Sequence, residues 1–224
     1  MAMEAQSLTF EAHPEKGPVS ALLVNPSGAK SLVVLGHGAG AGMQHANMEN
    51  IARTLANHQI ATFRFQFPFM ERGGGRDSQE VSLSTVQHAV ATAEQTAPSL
   101  KLFAGGHSFG GRMTSLAAAD HRIDQAEGLI FFAFPLHAPG KPGIERAKHL
   151  GNIRQPMLFL SGTRDPLNSM DLFEPLVSSL GNKATLHKLE TADHSYKILK
   201  RTRTNQEDVF DEMAGAVANW INKR

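Results

Sequence analysis

The 224-residue chain contains no cysteine, which excludes disulfides, thiolate zinc sites, iron–sulfur clusters and a cysteine nucleophile in one step. Its chemistry has to come from oxygen and nitrogen. Long apolar runs are missing as well: the longest, 129–136 (LIFFAFPL), falls well short of the ~20 residues that span a bilayer. The opening residues, 1–16, are mixed and acidic and lack the apolar core of a secretory leader, so a cytoplasmic protein without a membrane partner is expected. Neither charge is in excess. With 22 Lys+Arg against 21 Asp+Glu the net charge is +1, and no nucleic-acid partner is expected. Tryptophan and tyrosine occur once each beside 13 phenylalanines, with 41% apolar and 19% charged residues. That composition supplies an aliphatic and phenylalanine core. No linker, repeat or low-complexity tract divides the chain, so one domain over 1–224 is expected.

Strand-like and helical segments alternate, which argues for a mostly parallel sheet of about eight strands with helices on both faces, an α/β fold. Strands are read at 7–13, 19–25, 31–36, 60–67, 101–106, 128–135, 156–161 and 184–190. The first two alternate apolar and polar residues like half-exposed edge strands, whereas 31–36 (SLVVLG) is apolar throughout, as in a strand buried on both faces. Helices fit 47–58, 78–97, 109–121, 169–180 and 205–221, and 69–77 reads as a charged, glycine-rich loop. An irregular insertion at 137–151 is too short for a folded cap but long enough to overhang a site.

Gly106-His107-Ser108-Phe109-Gly110 matches G-x-S-x-G, a pattern that chance supplies in roughly one chain in ten. Its context makes it specific, because a strand precedes it and a helix follows, placing Ser108 in a strand-to-helix turn. A serine hydroxyl needs a base, and in this arrangement the base comes from the loop after the last strand. His194 lies there, in TADHS. A carboxylate has to fix the histidine's tautomer, and Asp165, after the strand at 156–161, has the right place. Asp193 and Asp171 are the alternatives, the first requiring a backward bend and the second lying inside a helix. An oxyanion hole would combine the Phe109 amide with one from the loop GHGAG at 36–40, for which Ala39 is the candidate.

Phe69, Met70, Leu136 and His137 flank these loops and are candidates to line a substrate pocket. Glu71, Arg72 and Arg76 lie where they could touch a polar substrate. His37 reads as structural, holding the glycine-rich loop, and His107 as either pocket lining or a buried, hydrogen-bonded histidine. Eleven histidines are present, but no H-E-x-x-H or similar local cluster accompanies them, so neither a metal nor a cofactor is expected.

The motifs GHGAGAGM, RFQFPFMERG, GGHSFGGRM, FPLHAPGKP and ADHSY resemble those of the α/β-hydrolase superfamily. More narrowly, they look like those of a small cap-less, dienelactone-hydrolase-like group of predicted hydrolases. That group is similar to the hydrolase-like subunit of a eukaryotic chromatin-associated acetyltransferase complex. The resemblance covers nearly the whole chain and implies Ser108 as nucleophile, His194 as base and Asp165 as acid. Dienelactone hydrolases use a cysteine nucleophile, absent here, which argues against a dienelactone substrate. The expected activity is hydrolysis of a carboxylic ester or thioester of a small to medium acyl group. A non-catalytic interaction module and an acyltransferase using the same triad are the alternatives, and oligomeric state is not legible.

Overall fold

The computed structural model describes residues 4–224, so the first three positions of the expected domain lie outside the described residues. Eight strands, β1 (Gln6–His13), β2 (Gly17–Val24), β3 (Ser31–Gly36), β4 (Ile60–Phe65), β5 (Lys101–His107), β6 (Gly128–Phe132), β7 (Met157–Gly162) and β8 (Ala184–Leu189), form one sheet. Its order is β1-β2-β4-β3-β5-β6-β7-β8. β2 runs antiparallel to both its neighbours, β1 and β4, and β3 to β8 are parallel to one another. This is the α/β-hydrolase fold, with no separate cap among the described residues.

The central strands are apolar because each of their faces meets a helical layer. On β3, Leu32 and Val34 enter one core and Val33 and Leu35 the other. On β7, Met157 and Phe159 part from Leu158 and Leu160 in the same way. The first core is closed by α3 (Gln79–Thr96), α4 (Phe109–Ala119) and α5 (Met170–Ser179), and the second by α1 (Ala46–Asn57) and α6 (Val209–Ile221). Local signals set the helix starts. The Ser78 hydroxyl accepts from the Val81 amide at 3.3 Å, and the Asp208 carboxylate accepts from Phe210 at 2.9 Å.

Several segments differ from the sequence expectation, among them β6, which ends at Phe132 and not at 135. β4 stops at Phe65, because the Phe67 amide leaves the ladder to donate to His37 Nε2 at 3.0 Å. The following stretch is a loop only in part: Pro68 opens a short helix, α2 (Pro68–Arg72), which ends at Gly73 with φ +70°. The final helix begins at Val209 and not at 205, since Glu190 accepts from the Thr204 and Asn205 amides and holds them outside the helix. The insertion at 137–151 carries a bridge between Ala138 and Lys141 and a 3-10 segment, Glu145–Asn152, packed on α4. Among the described residues no helix is long and apolar enough to cross a membrane.

Candidate active site

Ser108 sits between β5 and α4 with φ +50° and ψ −110°, a conformation costly for a residue with a Cβ. Packing imposes it. A Cβ on Gly106 would lie 2.3 Å from the Gly36 carbonyl oxygen, and one on Gly110 would lie 2.2 Å from the same oxygen. The motif's two glycines therefore let the turn press against the end of β3, and no other residue fits. The turn is further pinned by Ser108 N–H donating to the Phe132 carbonyl at 2.9 Å.

The Ser108 hydroxyl donates to His194 Nε2 at 2.9 Å, and His194 Nδ1–H donates to Asp165 Oδ2 at 2.7 Å. The Asp165 side chain is fully buried, and its other oxygen accepts the Leu167 amide at 2.8 Å. Such a relay can take a proton from the serine and stabilise the resulting imidazolium. Asp193 is engaged differently, with Oδ1 accepting from the Ser195 and Lys197 amides at 2.8 and 3.0 Å, so that it shapes the histidine's own loop. Asp171 lies in the first turn of α5.

The amides of Phe109 and Ala39 donate to no partner among the described residues, and Phe109 opens α4, where the helix dipole is positive. The loop that carries Ala39 is held by His37, which is fully buried, donates from Nδ1 to the Gly38 carbonyl at 2.7 Å and accepts Phe67 N–H at Nε2. Burial pushes its pKa down to about 4, so the ring stays neutral and the two-way bridge stays intact at neutral pH.

His107 combines both of its expected roles. It lines the cavity at Ser108 and donates from Nε2 to the His194 carbonyl at 3.2 Å, with its ring 5.4 Å from the His194 ring. Burial, and next the His194 charge, push its pKa down to about 4. Sequence reasoning missed Tyr196, which packs edge-on to His107 and is buried, so that desolvation and then the Asp165 charge raise its phenol well above the ordinary value. Its position after the base was the one available signal.

The cavity at Ser108 holds about 290 Å³ and is lined by Ala39, His45, Asn47, Met48, His107 and Ser195, among others. The four residues expected to line a pocket are placed elsewhere. Leu136 is fully buried and Phe69 nearly so, both in the core beside α3 and α4, because an apolar side chain after a central strand gains more from the core than from a rim. Met70, half-buried, packs against that core. His137 is buried, donating to its neighbour's carbonyl at 3.0 Å and accepting the Ser169 amide at 3.3 Å. None of the four lines this cavity.

The alpha/beta hydrolase domain family matches residues 29–222. The chain belongs to the alpha/beta hydrolase family. Solved structures of similar fold include a dienelactone hydrolase from Anabaena variabilis, with a TM-score of 0.75 and 18% identity over 98% of each chain. A serine hydrolase without lid from Xanthomonas campestris gives a TM-score of 0.74 at 18% identity, over 100% of this chain and 96% of that one. An esterase domain from Rhodothermus marinus gives 0.74 at 14%, over 99% of each. At these identities the likeness concerns the fold of this hydrolase, and the chemistry has to be argued from its own residues.

Proposed function

We propose that this family member is a serine hydrolase of the esterase or thioesterase type, acting as one domain through an acyl-enzyme on Ser108. The observation that carries the reading is the unbroken relay Ser108–His194–Asp165, with distances of 2.9 and 2.7 Å and the serine held at positive φ. Ser108 Oγ attacks the acyl carbonyl while His194 Nε2 takes its proton. Asp165 stabilises the imidazolium. The amides of Phe109 and Ala39 receive the oxyanion, His194 protonates the leaving group, and a water activated by the same nitrogen releases the acid. The cavity's open position, with no cap above it, favours water as acceptor and hydrolysis over acyl transfer.

The resemblance to a dienelactone-hydrolase-like group and to the subunit of a eukaryotic chromatin-associated complex belongs to the same reading. It is tested by intact-mass labelling with a fluorophosphonate. A stoichiometric adduct mapped to Ser108 and lost in Ser108→Ala is expected. A folded protein that takes no adduct overturns the reading in favour of an interaction module.

A further inference from the structure

Three arginines surround the first turns of α4, the helix that Ser108 opens, and among the described residues none of them has a carboxylate partner. Arg112 stands one helical turn beyond Ser108 on α4, its amide donating to the Ser108 carbonyl at 3.0 Å. Ser108 is the non-helical residue that opens α4, and Arg112 lies one turn into that helix. The Arg112 Nε is buried and has no partner. Arg76, from the loop after α2, is exposed and lies over the ring of Phe109, the residue next to Ser108, with Cζ 6.0 Å from the ring centre. Arg146 comes from the 3-10 segment, which the Ser115–His149 hydrogen bond of 2.7 Å clamps onto α4. Its Nη1 donates to the His137 carbonyl at 3.0 Å.

The ion pairs of the neighbourhood go elsewhere. Arg72 and Lys16 share Asp77, and Glu145, beside Arg146, pairs with Lys148. Among the described residues no carboxylate lies within ion-pair distance of Arg76, Arg112 or Arg146. The electrostatics agree: burial first, then the charges of Arg146 and Arg76, lowers the Arg112 pKa, and burial followed by Arg112 pushes His149 down to about 4. Three like charges gathered against a partly desolvated surface cost free energy unless a ligand supplies the opposite sign.

We propose that Arg76, Arg112 and Arg146 form an anion subsite of this enzyme, so that its substrates are esters or thioesters carrying a carboxylate or phosphate a few bonds from the scissile carbonyl. The proposal rests on Ser108 as nucleophile and names the substrate class of that site. None of the three arginines lines the cavity formed by Ala39, His45 and His107. A substrate with one arm in that cavity extends its other arm over Phe109 to the guanidinium groups, whose planar donors match a carboxylate or phosphate.

Binding tests the subsite independently of turnover. The full-length Ser108→Ala variant is titrated calorimetrically with monomethyl glutarate, its neutral counterpart dimethyl glutarate, and monobutyl phosphate. At least one anion is expected to bind about tenfold or more tightly than the neutral diester, and the stronger of the two tells carboxylate from phosphate. The preference is expected to vanish in a background that adds Arg76→Gln at an exposed position and Arg146→Gln at a half-buried one, both of which leave Arg112 in place. Equal binding of neutral and charged ligands, no binding of either anion, or a preference that survives the double substitution would overturn the proposal. Fluorophosphonate labelling of the wild type separates the two readings. An intact anion preference without labelling removes the nucleophile and keeps the subsite, and labelling without preference removes the subsite alone.

Discussion

Acidification will destabilise this protein through two histidines that flank the Ser108 turn. His37 and His107 are held neutral by burial, each with its pKa pushed down to about 4, against 6.5 when unfolded. A folded pKa below the unfolded one means that the unfolded chain takes up protons first. The stability is therefore fully present above about pH 6.5 and is lost as pH falls toward 4. Between pH 7 and 5 each histidine costs about 2 kcal/mol, so the pair costs about 4 kcal/mol out of a total stability of about 5–15 kcal/mol. The assay is urea unfolding at pH 7 and 5, followed by the fluorescence of the single tryptophan, Trp220, which is buried against Phe103. Comparison with His37→Gln isolates one histidine, since a glutamine can keep one hydrogen bond but does not titrate. Its pH dependence should be weaker by about 2 kcal/mol over the same interval. If His37→Gln retains the whole pH dependence of the wild type, the assignment of His37 as a buried neutral bridge fails.

Two other substitutions probe the site. Asp165→Asn keeps the side chain's shape but removes the charge that stabilises the imidazolium, and kcat on an activated ester is expected to fall by about 10³–10⁴ with the unfolding midpoint little changed; a loss under tenfold would place the working carboxylate elsewhere. Gly110→Ala drives a Cβ to 2.2 Å from the Gly36 carbonyl. It should destabilise the fold by about 1–3 kcal/mol or more and slow fluorophosphonate labelling, and a variant matching wild type in both would show that the turn does not depend on this backbone contact.

Most of the architecture is legible in the residues because the signals are local and repeated. The apolar run SLVVLG at 31–36 is buried on both faces as its composition implies, and Ser78 and Pro98 bracket α3. The C-terminal end of β4 and the start of α6 were not legible, because their limits depend on distant partners, His37 for Phe67 and Glu190 for Thr204. Local alternation likewise gave no hint that Arg64 is buried. It is, because its guanidinium reaches the Met43 carbonyl at 3.0 Å across the layer.

The sequence by itself determined the α/β alternation, the glycine spacing of the turn and the order Ser108, Asp165, His194, since each follows from chain-local sterics or from the position of a loop after a strand. Tertiary structure alone decided which aspartate meets His194, which loops reach the cavity and which arginines find carboxylates. Those outcomes depend on side chains far apart in the chain competing for the same space and the same partners. The withdrawal of Leu136 and Phe69 into the core and the gathering of Arg76, Arg112 and Arg146 from three separate segments both have that origin.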